Sequence, residues 1–420
     1  MKTKAGTASE ARITFRDLQF HEADHGDQTA IKVTLMDNFY FTIPKTELDA
    51  IGQWRIEEKA LVLTGISDEK AQKKMSFLIV KYITNLKSFL NHPATYVHAL
   101  SGIPLMGTLF FGIVDKATDL IEVKPLAGCS MNCMFCSVDE GPFSKKSHDF
   151  IVECEYLVDE LQKILDYKEH NNMQVYINPH GEPLLYPRIG LLVEKIRNIP
   201  WVGKVIIITS GFQLNQRLVD ELAHPNVQLN VSLCAMDPEK AKKIAGIPAY
   251  NLAKLLDEIR YAAKKMDVML TPVIMQGIND DQLEPLIQFS KEAGCTAIKM
   301  QNFLTNKRGR NPVQELPWNT FEEQLRALEK KYGISLFFEM RKLPETKELP
   351  RPFKKGQSVI AKIACQGRYK NEYVAVAENR SILVRNDDFK NRDASTVIGK
   401  TMKIKIQRSK HNLFMGEANC

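Results

Sequence analysis

The stretch "DLIEVKPLAGCSMNCMFC" (119–136) decides how this chain is read. Its first half is an apolar run interrupted only by Glu122 and Lys124, and it reads as a strand. Its second half packs Cys129, Cys133 and Cys136 into one short loop with Cys-x3-Cys-x2-Cys spacing. A loop this short can wrap three thiolates around one iron–sulfur cubane, which leaves the fourth iron without a protein ligand. An iron with an open position can bind the amino and carboxylate groups of S-adenosylmethionine and pass an electron into its sulfonium. The cofactor then carries the hard chemistry and the protein positions it. The competing reading is structural zinc, which wants four ligands. The fourth would have to come from His148 or from a distant residue.

Working outward, residues from about 117 alternate apolar strands with amphipathic helices. Strands are predicted at 119–126, 173–179, 204–210, 227–233, 268–275 and 297–303. Helices are predicted near 152–168, 187–197, 213–222, 238–264, 279–293 and 318–332. Six such βα units imply an α/β core, a partial (βα)6 TIM-like barrel, with its chemistry at the C-terminal ends of the strands. Before the core, "AIKVTLMDNFYFTIP" (30–44) predicts paired strands around Asp37-Asn38, and 68–90 predicts an amphipathic helix opening at Ser67-Asp68. After it, "LPETKELPRP" (343–352) reads as a linker. The short strands beyond it suit a small five-stranded β-barrel of the OB or TRAM kind. The expected domains are thus 1–115, an α+β domain of unknown role; 116–342, the core; 343–352, the linker; and 353–420, the small barrel.

The chain has 420 residues, 44% hydrophobic and 25% charged, an ordinary composition for a folded soluble protein. No apolar run approaches the ~20 residues of a membrane helix, and Met1–Arg12 lacks a secretory pattern, so the cytoplasm is the expected compartment. Eight cysteines, three clustered and five scattered, make no disulfide framework. Charge is uneven. From Arg351 onward 15 Lys and Arg face 6 Asp and Glu, a net of +9, whereas the whole chain nets +7 and its first 350 residues therefore −2. That asymmetry points to a basic appendage for a polyanion.

The cysteine spacing with Phe135 before the third thiol, followed by the βα array, resembles the radical S-adenosylmethionine superfamily. The stretch "GTLFFGIVDKATDLIEVKPLAGCSMNCMFCSVDEGP" (107–142) most resembles a largely archaeal, uncharacterised group within it. The resemblance implies a [4Fe-4S] cluster held by Cys129, Cys133 and Cys136, with Phe135 beside the cofactor. It also implies an external low-potential reductant, ferredoxin or flavodoxin. "HGEP" (180–183) is similar to the family's Gly-Gly-Glu motif, so Gly181 and Glu182 would hold the methionine amino group, with His180 replacing the first glycine. Ser210 in "TSG" (209–211) and Ser232 would meet the cofactor's carboxylate or ribose. "VIMQGIND" (273–280) would meet the adenine, and Gln301 and Asn302 the cofactor or substrate. Lys307, Arg308 and Arg310 in "NKRGRNP" (306–312) form a flexible cationic loop suited to a substrate phosphate, or a solvated turn.

The tail resembles a TRAM domain, an RNA-binding barrel that follows the radical core of tRNA methylthiotransferases. Arg368, Lys370, Arg380, Arg385, Lys403, Lys405, Arg408 and Lys410 would track phosphates, with Tyr369, Tyr373 or Phe414 for stacking. Those enzymes carry three further cysteines at their N-terminus, and residues 1–128 here contain none, which argues against sulfur insertion. The leading expectation is an enzyme modifying RNA, tRNA foremost. The alternatives are a radical enzyme for a peptide or small metabolite, and a non-catalytic RNA-binding protein with a structural metal. "HEADH" (21–25) matches a zinc-protease pattern, but the stretch before it alternates like a strand. Cys154, Cys234 and Cys295 read as core, with Cys234 also placed to face the cavity as a thiol.

Overall fold

A computed structural model describes residues 9–22, 29–338, 343–387, 389 and 393–418. The chain divides into two compact units, 1–96 and 97–420. The division falls after residue 96 rather than at 115, because Gly112–Asp115 pairs antiparallel with the first core strand, Leu120–Lys124.

In the first unit, Ala30–Leu35 and Phe39–Pro44 form the expected hairpin. Its loop turns on Met36 and Asp37, both at positive φ, one position earlier than expected. The helix Asp68–Tyr82 buries Ala71, Met75, Leu78 and Ile79 on one stripe. It stops eight residues short of the expected end, because Lys87–Ser88 leaves the helix to pair with Phe39–Tyr40. His21 lies in the strand Leu18–Glu22, where Nε2 meets Thr34 Oγ1 at 3.0 Å. A strand cannot supply the one-faced helical histidine pair of a zinc protease; His25 lies outside the described residues.

The second unit is built on a seven-stranded sheet. Six strands run parallel in chain order: Leu120–Lys124, Met173–Ile177, Val202–Thr209, Val227–Val231, Asp267–Leu270 and Ala297–Ile298. They are near-continuous apolar runs, as strands covered on both faces must be. Helices follow at Cys154–Lys168, Ile189–Arg197, Gln216–Leu222, Leu283–Glu292 and Trp318–Tyr332. The helix expected over 238–264 is two, Pro238–Ala245 and Leu252–Ala263. The first ends at Gly246, in the left-handed region at φ +69° with Pro248 just beyond, and the cysteine loop takes up the freed carbonyls. Asn132 N donates to Ala245 O at 3.1 Å and Met134 N to Ile244 O at 3.0 Å, so the loop caps carbonyls that a continuing helix would have used itself.

The C-terminal strands Ser358–Gln366, Glu372–Ala377, Arg380–Arg385, Thr401–Arg408 and Met415–Ala418 close into a barrel. Its core includes Ile363, Tyr373, Ile382, Phe389 and Phe414. This barrel is fastened to the sheet. Ser381 N donates to Met106 O, Phe414 N to Gly107 O, and Ser147 N to Arg368 O, all at 2.8–2.9 Å. The expected linker is fastened too: Thr346 N donates to Ala117 O, and Lys168 Nζ reaches Thr346 Oγ1 and Lys347 O.

Gly107 (φ +132°) carries that junction, since a Cβ there would collide with the Ser381 backbone. Gly107→Ala should therefore cost about 2 kcal/mol or more, read as a lower denaturant midpoint of the second unit's unfolding. A midpoint unchanged from the parent protein would count against this docking.

Candidate active site

Residues at and beyond the C-terminal ends of all six parallel core strands line a cavity of about 450 Å³. Cys129, Cys133, Cys136, Glu182, Ser210 and Ser232 all line it, with Phe135 on the same wall. Two backbone amides point at sulfur: Met131 N lies 3.4 Å from Cys129 Sγ, and Glu140 N 3.3 Å from Cys136 Sγ. Burial, then the charge of Glu182, pushes the Cys129 thiol well above its ordinary range. Burial, then Cys136, pushes Cys133 up to about 12. Three clustered, buried thiols, two of them with amide donors and Cys133 eased only in part by the charge of Arg310, suit a metal group that takes up their charge. Among the described residues no three His, Cys, Asp or Glu side chains already meet at a metal-holding point, so such a group must draw the loop together. His148, the candidate fourth ligand, is buried against Phe150 and does not line the cavity.

Glu182 is 2% exposed and holds a full set of neutral donors. Oε1 accepts from Leu184 N (3.1 Å) and Thr209 Oγ1 (2.5 Å); Oε2 accepts from Ser210 N (2.9 Å) and Ser210 Oγ (2.6 Å). Burial raises its pKa, and the Ser210 and Thr209 bonds pull against that rise. No lysine, arginine or histidine pairs with it among the described residues. A buried carboxylate held in place but left without a counter-cation is shaped for a ligand's ammonium. Gly181 makes this turn possible. It sits at φ +151°, in register with Gly128, and a Cβ would collide with the Gly128 backbone.

The expected residues separate into groups. Ser232 lines the cavity with no side-chain partner among the described residues. Ser210 donates its hydroxyl to Glu182 and so orients the carboxylate, while itself lining the cavity. Thr209 does the same work and was not singled out from sequence; its place in "TSG" at a strand end was the available signal. Gln301 and Asn302 line the cavity, their amides donating to Thr271 O and Leu316 O. Cys234 is buried behind Cys133, in the adjoining recess.

The basic residues are redistributed most. Arg368 is 4% exposed and cannot face a nucleic acid. Its Nη2 donates to Glu140 Oε1 (2.6 Å) and Val138 O (2.8 Å), and its Nη1 to His180 Nδ1 (3.3 Å). Glu140 also holds Lys146, which pairs with Asp149 at 2.6 Å. Burial and then Arg368 drive His180 well below its ordinary pKa, so the ring is neutral. Arg310 is likewise no phosphate clamp. Its guanidinium bonds Asp139 (3.0 Å), Asn132 Oδ1 (2.6 Å) and Glu140 O, and its N–H reaches Cys136 O (2.9 Å). Arg385 pairs with Glu372, and Arg380 bonds Pro350 O and Asn379 O. Tyr373 and Phe414 belong to the small barrel's core, where stacking on a base is impossible. Lys370, Lys403, Lys405, Arg408 and Lys410 are exposed.

A thiol triplet beside a caged carboxylate, at the C-terminal end of a parallel βα sheet, defines a radical S-adenosylmethionine type of core. The Radical SAM superfamily model matches residues 123–290. The chain belongs to that superfamily, whose members use an iron–sulfur cluster and S-adenosylmethionine. An uncharacterised protein of Methanocaldococcus jannaschii is 31% identical over 363 residues, 79% of this chain and 82% of that protein. A GTP 3',8-cyclase of Nautilia profundicola is 28% identical over 195 residues, covering 46% of this chain and 59% of the cyclase. The crystal structure of SuiB from Streptococcus suis superposes with a TM-score of 0.43 at 14% identity, over 79% of this chain and 71% of that one. No helix among the described residues is long and apolar enough to cross a membrane.

Removing Arg368 would strand Glu140 beside a single cation in a dry interior. Arg368→Ala should cost about 3–5 kcal/mol of unfolding free energy, and Arg368→Lys should recover only part of it, because lysine lacks the planar fork. Denaturant titration of the full chain checks both, and a loss below 1 kcal/mol for alanine would contradict this role.

Proposed function

We propose that this protein cleaves S-adenosylmethionine reductively and uses the resulting radical to modify a base in RNA, tRNA foremost. The observation that carries the chemistry is the uncompensated Glu182 carboxylate sharing one cavity with Cys129, Cys133 and Cys136. Those three cysteines would hold a [4Fe-4S] cluster, leaving one iron for the cofactor. A cluster held there would supply one-electron reduction of the cofactor's sulfonium, with the electron coming from an external low-potential donor such as ferredoxin or flavodoxin.

The protein's share is positioning. Thr209 and Ser210 hold Glu182 in place, where its carboxyl group would lie beside the cofactor's ammonium. Ser232 Oγ faces the cavity as a donor for the carboxylate or ribose. Phe135 lines the same cavity beside the cysteines and would limit water there.

The RNA reading rests on the closed C-terminal barrel. Its inward residues alternate with an outer face on which Lys403 and Lys405 flank the buried Ile404. Ile360, 66% exposed, sits opposite Lys403 on the neighbouring strand, so charge and apolar surface are interleaved. The GTP cyclase relative adds a nucleotide substrate within the same family.

Anaerobically reconstituted protein with dithionite should form 5′-deoxyadenosine. Cys133→Ala should abolish both the cluster's visible absorbance and this product. Glu182→Gln should keep the absorbance but bind S-adenosylmethionine about tenfold or more weakly. A zinc-loaded protein that forms no 5′-deoxyadenosine refutes the radical reading. For the RNA reading, Lys403→Glu/Lys405→Glu should weaken tRNA binding and flatten the log–log salt dependence by about 1.5 units or more. An unchanged slope removes this face from RNA contact.

A further inference from the structure

A second cavity, about 320 Å³, lies at the seam between the core and the small barrel. Lys145 from the cysteine-loop side, Lys307 and Arg308 from the 306–312 loop, and Tyr369 and Asn371 from the barrel line it. Its acidic groups are already matched. Asp139 is held by Arg310 at 3.0 Å, and the buried Glu372 accepts from both Arg308 and Arg385 at 2.7 Å on one oxygen. The ammonium groups of Lys145 and Lys307 are exposed and have no acidic partner among the described residues. Arg308 lies over the Tyr369 ring at 4.5 Å, which fixes its plane.

A solvated turn has no need of rigidity, yet this loop is cross-linked. Asn306 N donates to Asn311 Oδ1, and Asn311 Nδ2 to Asn306 O, both at 3.0 Å. Thr305 N donates to Glu315, and Arg310 N to Cys136 O. The loop is also a partition. Leu304 and Asn306 face the 450 Å³ cavity, whereas Lys307 and Arg308 face the seam. A ligand reaching over it would place an anionic end among Lys145, Lys307 and the held Arg308, and its other end near the cysteines.

We propose that the seam cavity is a phosphate subsite, in which Lys145, Lys307 and Arg308 hold a phosphoryl group of the nucleotide substrate while its base enters the cofactor cavity. This rests on the nucleotide-substrate reading above, and the phosphoryl group belongs either to RNA or to a free nucleotide.

The test is equilibrium binding to the full-length, anaerobically reconstituted protein of four probes: unfractionated tRNA, GTP, inorganic tripolyphosphate and guanosine. Wild type is compared with Lys145→Ala/Lys307→Ala and with Lys264→Ala, an exposed lysine on another surface. The double variant should lose about tenfold or more in affinity for at least one phosphorylated probe, Lys264→Ala should lose none, and guanosine should not distinguish the three proteins. Loss with GTP and tripolyphosphate assigns a free nucleotide; loss with tRNA alone assigns RNA. Equal affinity of the double variant and wild type for every probe, or no phosphorylated probe bound by wild type, overturns the subsite. 5′-Deoxyadenosine formation by the same wild-type preparation separates the two levels. If it forms while binding ignores the lysines, only the subsite falls; if it does not form, the radical reading falls.

Discussion

The second unit depends on a buried ion network joining Lys146, Glu140, Asp149 and Arg368, with two cations balancing two carboxylates at 5% side-chain exposure or less. Burying four charges is tolerable only when each is neutralised locally and its geometry is satisfied. Every charge here has an opposite charge in contact, though Arg368 Nε lacks a hydrogen-bond partner among the described residues, and the network touches three pieces of chain that must agree in position. Glu140 follows the cysteine loop, Arg368 comes from the small barrel, and His180 opens the Gly181–Glu182 turn. A shift of any one strands a charge in the interior. The fourth corner, Asp149 in the strand Asp149–Val152, ties the network to the short segment Leu126–Gly128 that feeds the cysteine loop.

This changes what the small barrel is. Composition alone suggests a detachable basic tail, and the net +9 is real. The chain spends part of that charge internally, however. Arg368 neutralises Glu140, Arg385 neutralises Glu372, and Arg380 bonds backbone carbonyls. The surface lysines left over form a smaller face than the count implies. The barrel's other contribution is structural, since the cysteine loop would lose a wall without it.

The legible parts of the fold and site were those encoded by local period and spacing. Strands such as Val205–Thr209 are β-branched runs, helices such as Cys154–Lys168 bury a regular stripe, and the cysteine triplet carries its own geometry. What escaped depends on contacts between residues far apart in the chain. Arg368 and Glu140 are 228 positions apart, and nothing local marks an arginine as interior. The break in the 238–264 helix was legible in Gly246 and Pro248, and only the capping of its carbonyls by Asn132 and Met134 was hidden. Residues 343–352 carry a linker's prolines yet lie hydrogen-bonded along the core, since composition does not report docking.

The same logic of local neutralisation explains the charges left unbalanced. Nearly every buried ion here has a partner within hydrogen-bonding distance, so an unpaired one marks a place where a partner comes from outside. Glu182 is a buried carboxyl group in the cavity with neutral donors and no cationic partner among the described residues. Lys145 and Lys307 are exposed lysines beyond the 306–312 loop, with no acidic partner among the described residues. Arg310 ties that loop to Asn132, Asp139 and the Cys136 carbonyl, which keeps the lysines outside and the carboxyl group within. The result is an inner end that favours a positively charged ligand and an outer end that favours a negative one, separated by a fixed wall. That polarity follows from the positions of the charges and from their enforced separation.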